Sequence, residues 1–313
     1  VADAIASVAV SVDGFVLIES GGGDDAVRAA NLAVAEHASH LQQHISNQSY
    51  GWTGSFSEAR NYALRWARAL GYDYAVTVDP DERVSLPDDL RQLLEQHPEA
   101  DVCNVQDREQ GYCKERVIRC ASEGHWRGRV CENFFTHGKR ARLGGSFVEL
   151  PKSKEGEAIR WQRGVIECQR MIDEGDDYWK WYRHMGTCLA GLGRRDEAQE
   201  AYRMALAKVN EAEPKAWIRY LLCEQAVVDE KYEYARNLAA TGLADHAGFL
   251  AEFGWILAYT AFKAGNLENA SKWAQLVLSA PHDSSRVSFR GKKCITGANQ
   301  LLGIMCAKAT EIP

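Results

Sequence analysis

The spacing of apolar and polar positions changes period part-way along the chain. In the first half, strand-like alternation is interleaved with helical periodicity. GFVLIES at 14–20 reads as a strand ending in the glycine run 21–23, and a helical pattern follows from Asp24 to about His40. FSEARNYALRWARAL, residues 56–70, places apolar side chains at helical spacing behind a Ser suited to the N-cap, with Gly71 as its stop. DYAVTVDPDE reads as a strand, a Pro-started helix is predicted from about Pro87 to Gln96, and ADVCNVQD is a further strand. Strand, helix, strand, helix, strand predicts an α/β domain with a mostly parallel sheet, whose ligands bind beyond the carboxyl ends of the strands. That places Glu19, Asp79 and Asp81 on one rim.

Past about residue 156 the strand signal ends, and the pattern is helical to residue 309. It also repeats. Aligning GLGRRDEAQEAYRMALA (191–207), VDEKYEYARNLAATGLA (228–244) and KAGNLENASKWAQLVLS (263–279) puts Ala198, Ala235 and Ala270 in register at spacings of 37 and 35 residues. A period near 34 residues built from paired helices is the tetratricopeptide pattern. Tyr182, Met185, Gly186 and Leu189 fall on its large and small positions in a first helix, Tyr202 and Ala205 on those of a second. Cys223 takes the small position in the second repeat. Small residues let neighbouring helices approach, and the aromatic fills the space beside them. The segment from about Ser288 to Ala309 is expected to cap the array, with Lys and Arg toward solvent. Two domains follow, 1–155 and 156–313.

Composition narrows the class. The chain has 313 residues, 46% of them apolar, enough for two cores. No stretch reaches the roughly 18 consecutive apolar residues that span a bilayer, and VADAIASVAVSVDGF lacks the basic leader of a signal peptide. A soluble, cytoplasmic protein with no membrane partner is expected. The nine cysteines are odd in number, scattered, and contain no C-x-x-C pair, which favours reduced, mostly buried thiols over disulfides or a zinc site. The net charge of −6 gives no global attraction to nucleic acid, but residues 101–154 hold eleven Lys and Arg against seven Asp and Glu. Such a patch suits phosphates; an ordinary solvated surface is the alternative.

The densest chemistry lies in YAVTVDPDERV, where an apolar strand runs into Asp79, Asp81 and Glu82. Unpaired carboxylates at a buried strand end are costly and need a cation, a cap or solvent. A turn followed by helix capping would also account for Asp-Pro-Asp-Glu.

Four stretches in order resemble the family 2 glycosyltransferases, which have a GT-A fold (Rossmann-like, mostly parallel), here followed by an all-α tetratricopeptide extension. SVAVSVDGFVLIESGGGDD resembles their helix, second strand and Asp-Thr-Gly-Ser loop. FSEARNYAL resembles the segment carrying an Arg-Asn pair, VDPDE the Asp-x-Asp motif, and GHWRGRVCE a Gly-Arg-Val-His-Glu stretch. The resemblance implies a metal-dependent, inverting transfer of a sugar from a nucleoside-diphosphate sugar to an acceptor. It implies Mn2+ or Mg2+ bound by Asp81, with Asp79 toward the ribose or a metal-bound water; hard oxygen ligands suit either ion. The ion would stabilise the leaving diphosphate. Arg60, and with it Arg127 and Arg129, would add positive charge at the donor, although a structural salt bridge suits the latter two equally. Glu132 is the candidate base, or else positions a loop; His125 and His137 flank it. Glu19 stands at the ribose or base position, where the family usually has Asp, and Cys131 replaces the family's His. The family's first strand has no counterpart ahead of Val1.

A protein or peptide acceptor held by the repeats is favoured, with a modified base in DNA as the alternative. The rival from another class is a non-catalytic tetratricopeptide scaffold with a degenerate glycosyltransferase domain. A metal-dependent hydrolase is disfavoured, because no second group of His and Asp accompanies the acidic cluster.

Overall fold

A computed structural model of the chain describes residues 1–20, 23–108, 113–280 and 291–310. Gly21 and Gly22 of the expected glycine loop, and residues 288–290 of the expected cap, lie outside the described residues. The chain divides into two compact units, Val1–Glu109 with Cys113–Lys154, and a second made almost wholly of Glu155–Pro313.

In the first unit, α1 (Ala2–Val8) leads into β1 (Phe15–Glu19) and α2 (Gly23–His37). Ile5, Ala33 and Val34 bury against each other, with Phe15 and Leu17 of the strand partly covered. β2 (Ile45–Ser49) pairs parallel to β1. Next, α3 (Phe56–Ala69) begins where the Ser55 hydroxyl accepts from the Glu58 amide at 3.3 Å, and it ends before Gly71, whose φ of 81° an L side chain rarely adopts. β3 (Tyr74–Val76), β4 (Glu82–Ser85) and α4 (Leu90–Glu95) follow. β5 (Ala100–Asp107), β6 (Cys113–Arg119), the short hairpin β7 (His125–Arg127) and β8 (Asn133–Phe135), and β9 (Lys139–Glu149) complete the unit.

The sheets differ from the mostly parallel expectation. β1 and β2 form a two-stranded sheet, β7 and β8 another, and the five-stranded sheet runs β3-β6-β5-β9-β4. In that sheet β3–β6, β5–β6 and β4–β9 are antiparallel, and only β5–β9 is parallel. The cause lies after residue 107: β6 to β9 follow one another with no helix between them, and short connections reverse strand direction. Helix α3 covers this sheet with Leu64 and Ala67 against Val102, Ile118 and Trp126.

The second unit is helical throughout its described residues: α5 (Lys154–Asp173), α6 (Trp179–Gly191), α7 (Arg195–Lys208), α8 (Ala212–Val228), α9 (Tyr232–Asp245), α10 (Leu250–Lys263), α11 (Leu267–Leu278) and α12 (Gly291–Thr310). Antiparallel neighbours α6–α7, α8–α9 and α10–α11 pack as pairs, and α8, α10 and α12 also touch in succession. This is a tetratricopeptide-like helical repeat. Ala198, Ala235 and Ala270 are fully buried. Facing them, a Cβ on Gly186 would stand 2.7 Å from the Tyr202 ring, and the Cys223 thiol donates to the Ala235 carbonyl at 3.6 Å. Trp181, Tyr202, Phe249 and Phe253 are almost or wholly buried in the unit, each contributing about 1.5–3 kcal/mol by leaving water.

The expected capping segment forms helix α12, and Lys293, the Lys or Arg of this segment whose side chain is among the described residues, is exposed.

Candidate functional site

Four of the sequence-predicted residues, Arg60, Asp79, Asp81 and Glu132, come together in the first unit, around the turn between β3 and β4. Arg60 projects from α3 toward this turn, and its side chain is 15% exposed. Its Nη2 donates to both carboxylate oxygens of Asp79 at 2.7 and 2.9 Å, and its Nε donates to Glu132 at 2.7 Å. The guanidinium carbon lies 4.9 Å from the centroid of Trp126, so an aromatic face backs the cation. Asn61, the next residue on α3, holds the β7–β8 hairpin in place: its amide donates to the Trp126 carbonyl at 2.8 Å and its oxygen accepts from the Trp126 amide at 2.7 Å. The Arg-Asn pair is therefore a clamp, in which one residue gathers two carboxylates and the other fixes the strand between them.

The turn closes on itself. Glu82 N–H donates to the Asp79 carbonyl at 3.0 Å, and the Glu82 carboxylate accepts from the Asp79 amide at 3.2 Å. Glu82 is 1% exposed and pairs with Arg116, equally buried, and with Lys114 at 3.1 Å; Lys114 also bridges to Glu149. Both cations lie over the Phe147 ring. Asp81, in contrast, is 43% exposed and binds Lys152 at 2.5 Å, while its carbonyl accepts from the Leu150 amide at 2.7 Å. Among the described residues the acidic run is thus compensated by four cations of the protein itself, Arg60, Lys114, Arg116 and Lys152, and it leads into a strand, where a helix cap was the sequence alternative.

Electrostatics follow from this geometry. Burial works against ionisation of Asp79, yet Arg60 and then Arg116 outweigh it and hold the carboxyl below its usual range. For Glu82 burial dominates, with Asp79 adding repulsion, and the carboxyl is pushed up despite Arg116 and Lys114. Desolvation opposes the charge on Arg60, but Glu132 and Asp79 more than restore it, so its pKa is raised.

The remaining expected residues lie elsewhere. Glu19 ends β1, in the other sheet, and its carbonyl accepts from the Tyr50 amide at 2.8 Å. Arg127 packs its guanidinium over Phe135 at 5.3 Å, and Arg129 binds the loop before α3, its carbonyl accepting from Phe56 at 3.0 Å and its Nη1 donating to Thr53 at 3.4 Å. Cys131, where the resemblance places a His, has φ of 51°, a left-handed conformation beside Glu132. Sequence reasoning singled out Glu82 without giving it a role, and missed Lys114, Arg116 and Trp126. The available signal was CKERVIR, whose Lys114 and Arg116 recur at the strand period beside an apolar core.

These residues do not fit a divalent cation. Asp79 has both oxygens on Arg60 and Asp81 is on Lys152, so a metal would have to displace two cations. Among the described residues no three His, Cys, Asp or Glu side chains cluster to hold one. The buried thiols are poor nucleophiles as well: desolvation pushes Cys103 up to about 11 and Cys294 up to about 12.

No protein-family model matches the chain, and no curated protein matches it. Among solved structures, that of MamA is 12% identical, covers 51% of this chain and 98% of its own, and superposes with a TM-score of 0.36. A second, MamA MSR-1 C2, is 16% identical over 48% of this chain and 91% of its own, with a TM-score of 0.33. Likeness this distant carries no conclusion about activity. The resemblance to family 2 glycosyltransferases is overturned: no family model supports it, and the sheets of the first unit are small and mixed where a mostly parallel one was implied. No helix among the described residues is long and apolar enough to cross a membrane.

Proposed function

We propose that the chain is a non-catalytic scaffold whose helical repeats hold an extended peptide segment of a partner protein. The observation that supports this reading is the side-by-side row of first helices, α6, α8, α10 and α12. It sets the half-buried Trp217 ring 4.5 Å from the Arg183 guanidinium, and places Trp255 beside Tyr259 at 5.6 Å, both half-buried. Aromatic side chains next to charged and hydroxyl groups suit peptide backbones and side chains, and stacked helix pairs present them along one extended face. The ionic turn around Arg60 is then structural, a clamp that secures the first unit.

Two measurements test the reading. Peptides selected from a displayed random library should bind the full chain, and Trp217→Ala and Tyr259→Ala should each weaken them about tenfold or more, the scale of interface anchors. Undiminished binding by both variants refutes the proposed face. A thermal-shift screen of nucleoside diphosphates and their sugars with Mn2+ or Mg2+ should give no metal-dependent stabilisation. A metal-dependent rise would instead restore a transferase role to the first unit.

A further inference from the structure

The row of first helices has a chemically distinct corner on the last turns of α10. Trp255, Tyr259 and Lys263 follow one another at intervals of four residues, so they stand along one side of that helix. Tyr232, the first residue of α9, completes the corner. The Lys263 Nζ lies 5.6 Å from the Tyr259 ring centroid and 5.8 Å from that of Tyr232, and the two rings meet edge to face at 6.3 Å. Both tyrosines are half-buried and Lys263 is exposed. The interactions that raise the Lys263 pKa come first from Tyr259 and then from Tyr232, so phenol hydroxyls as well as ring faces border the amine. What Lys263 lacks is an acid. Elsewhere in this unit Lys208 meets Asp177 at 2.6 Å, Lys231 meets Asp229 at 3.2 Å and Lys272 meets Glu268 at 2.7 Å, whereas among the described residues Lys263 enters no ion pair. Of the acids near Tyr232 in the chain, Asp229 is held by Lys231 and Gln199 and Glu233 by Arg236; neither they nor the exposed Glu230 pair with Lys263.

Resting on the peptide-binding reading, we infer that this corner takes an Asp or Glu side chain of the partner segment, its carboxylate drawn by Lys263 and accepting from the Tyr232 and Tyr259 hydroxyls. The sign of the charge decides the ligand. Paired aromatic faces would suit a cation, but Lys263 already lies over them and repels a second one. A lone ammonium with two neutral hydroxyl donors balances one negative charge; a phosphate carries nearly two and is better matched by an arginine fork or a cluster of cations. Register follows from the two backbones. The helical rise of about 1.5 Å per residue sets Trp255, Tyr259 and Lys263 about 6 Å apart along α10, and alternate side chains of an extended chain stand about 6.6 Å apart on one side. A segment lying along α10 therefore places its acid two residues from a side chain resting on Tyr259 and four from one resting on Trp255. Those two side chains should be apolar or aromatic, because Trp255 and Tyr259 offer half-buried rings 5.6 Å apart.

The test uses peptides selected on the full chain from a displayed random library, each synthesised with its acid and with the matching amide, Glu→Gln or Asp→Asn. Selected sequences should be enriched in Asp or Glu two residues from an apolar side chain. In fluorescence anisotropy titrations the wild type should bind the acidic form about tenfold more tightly than the amide, the scale of one charge-assisted contact. Lys263→Met should bind the two forms equally, and Lys263→Arg should keep the preference; the residue is exposed, so neither change disturbs the core. Tyr232→Phe retains the ring, loses the hydroxyl and should reduce the preference about threefold. Trp217→Ala should weaken both forms alike and leave their ratio unchanged, which separates loss of the face from loss of the acid preference. The inference is overturned if the selected peptides show no such enrichment, if the wild type does not distinguish acid from amide, or if Lys263→Met retains the preference; in each of these cases the peptide-binding reading still stands. Binding of no peptide at all overturns both.

Discussion

Replacing Arg60 by Met tests whether the ionic turn is a structural clamp. Met keeps apolar bulk over Trp126 and removes the one cation that joins Asp79 to Glu132. The three side chains are 15%, 32% and 12% exposed, so two carboxylates would face each other in a largely dry site. Removing one partner of a buried ion pair costs about 3–5 kcal/mol. Asp79, a third exposed, recovers some solvation, which puts the loss near the lower end, about 3 kcal/mol. For a unit of this size each kcal/mol moves the melting midpoint by about 2–4 °C, so calorimetry of the full chain should show one transition falling by roughly 6–12 °C. Lys at the position keeps the charge without the planar fork and should fall in between. The effect has a defined pH window. The Asp79 carboxyl is held below its ordinary value, so the stability it draws from Arg60 is complete above the unfolded pKa of about 3.9 and is lost as pH falls through the folded one. The gap between wild type and Arg60→Met should therefore be widest above about pH 4 and shrink in more acidic solution. The raised Glu82 carboxyl acts in the opposite sense, its contribution falling as pH rises, but it is present in both proteins and its effect largely cancels in the difference. A shift under about 2 °C at neutral pH, or a gap that does not shrink in acid, would refute the clamp.

Three further outcomes are expected. Asp81→Ala breaks a half-exposed pair with Lys152 and should cost less than about 1 kcal/mol by urea unfolding; a larger loss would give Asp81 a structural part that its contacts do not indicate. Gly186→Ala drives a methyl into the Tyr202 ring and should cost about 1–3 kcal/mol, whereas Gly303→Ala, with open space around it in α12, should stabilise by up to about 1 kcal/mol. Equal effects at the two glycines, read by the same denaturant midpoints, would contradict the packing described for the repeats. Cys131→Gly should be neutral or stabilise by up to about 1 kcal/mol because it relieves a left-handed backbone, while Cys131→Val should lose more than about 1 kcal/mol; the reverse order would show that the thiol matters more than the backbone.

What was legible in the sequence was local. Helix α3 announces itself through Ser55, its apolar spacing and Gly71, and each of these acts within a turn or two of the chain. The repeats are legible for the same reason: Gly186, Ala198 and Tyr202 meet within one helix pair, so a fixed period reproduces the contact. Strand direction is not local. ADVCNVQD alternates in the same way whether its neighbour runs parallel or antiparallel, and the deciding feature was the lack of a helical pattern between residues 113 and 149, which leaves too little chain for parallel crossovers. The partners of the acidic run were hidden by distance as well. Asp79 finds Arg60 on an earlier helix and Asp81 finds Lys152 past the last strand, and no periodicity links those positions. An Asp-x-Asp triplet at a strand end is equally consistent with a bound cation and with a turn sealed by the protein's own arginines and lysines. Which of the two holds depends on side chains arriving from elsewhere in the fold, so a resemblance built on short motifs in order had no means of distinguishing them. What the structure adds is the protein partner of each carboxylate, Arg60 on Asp79 and Lys152 on Asp81.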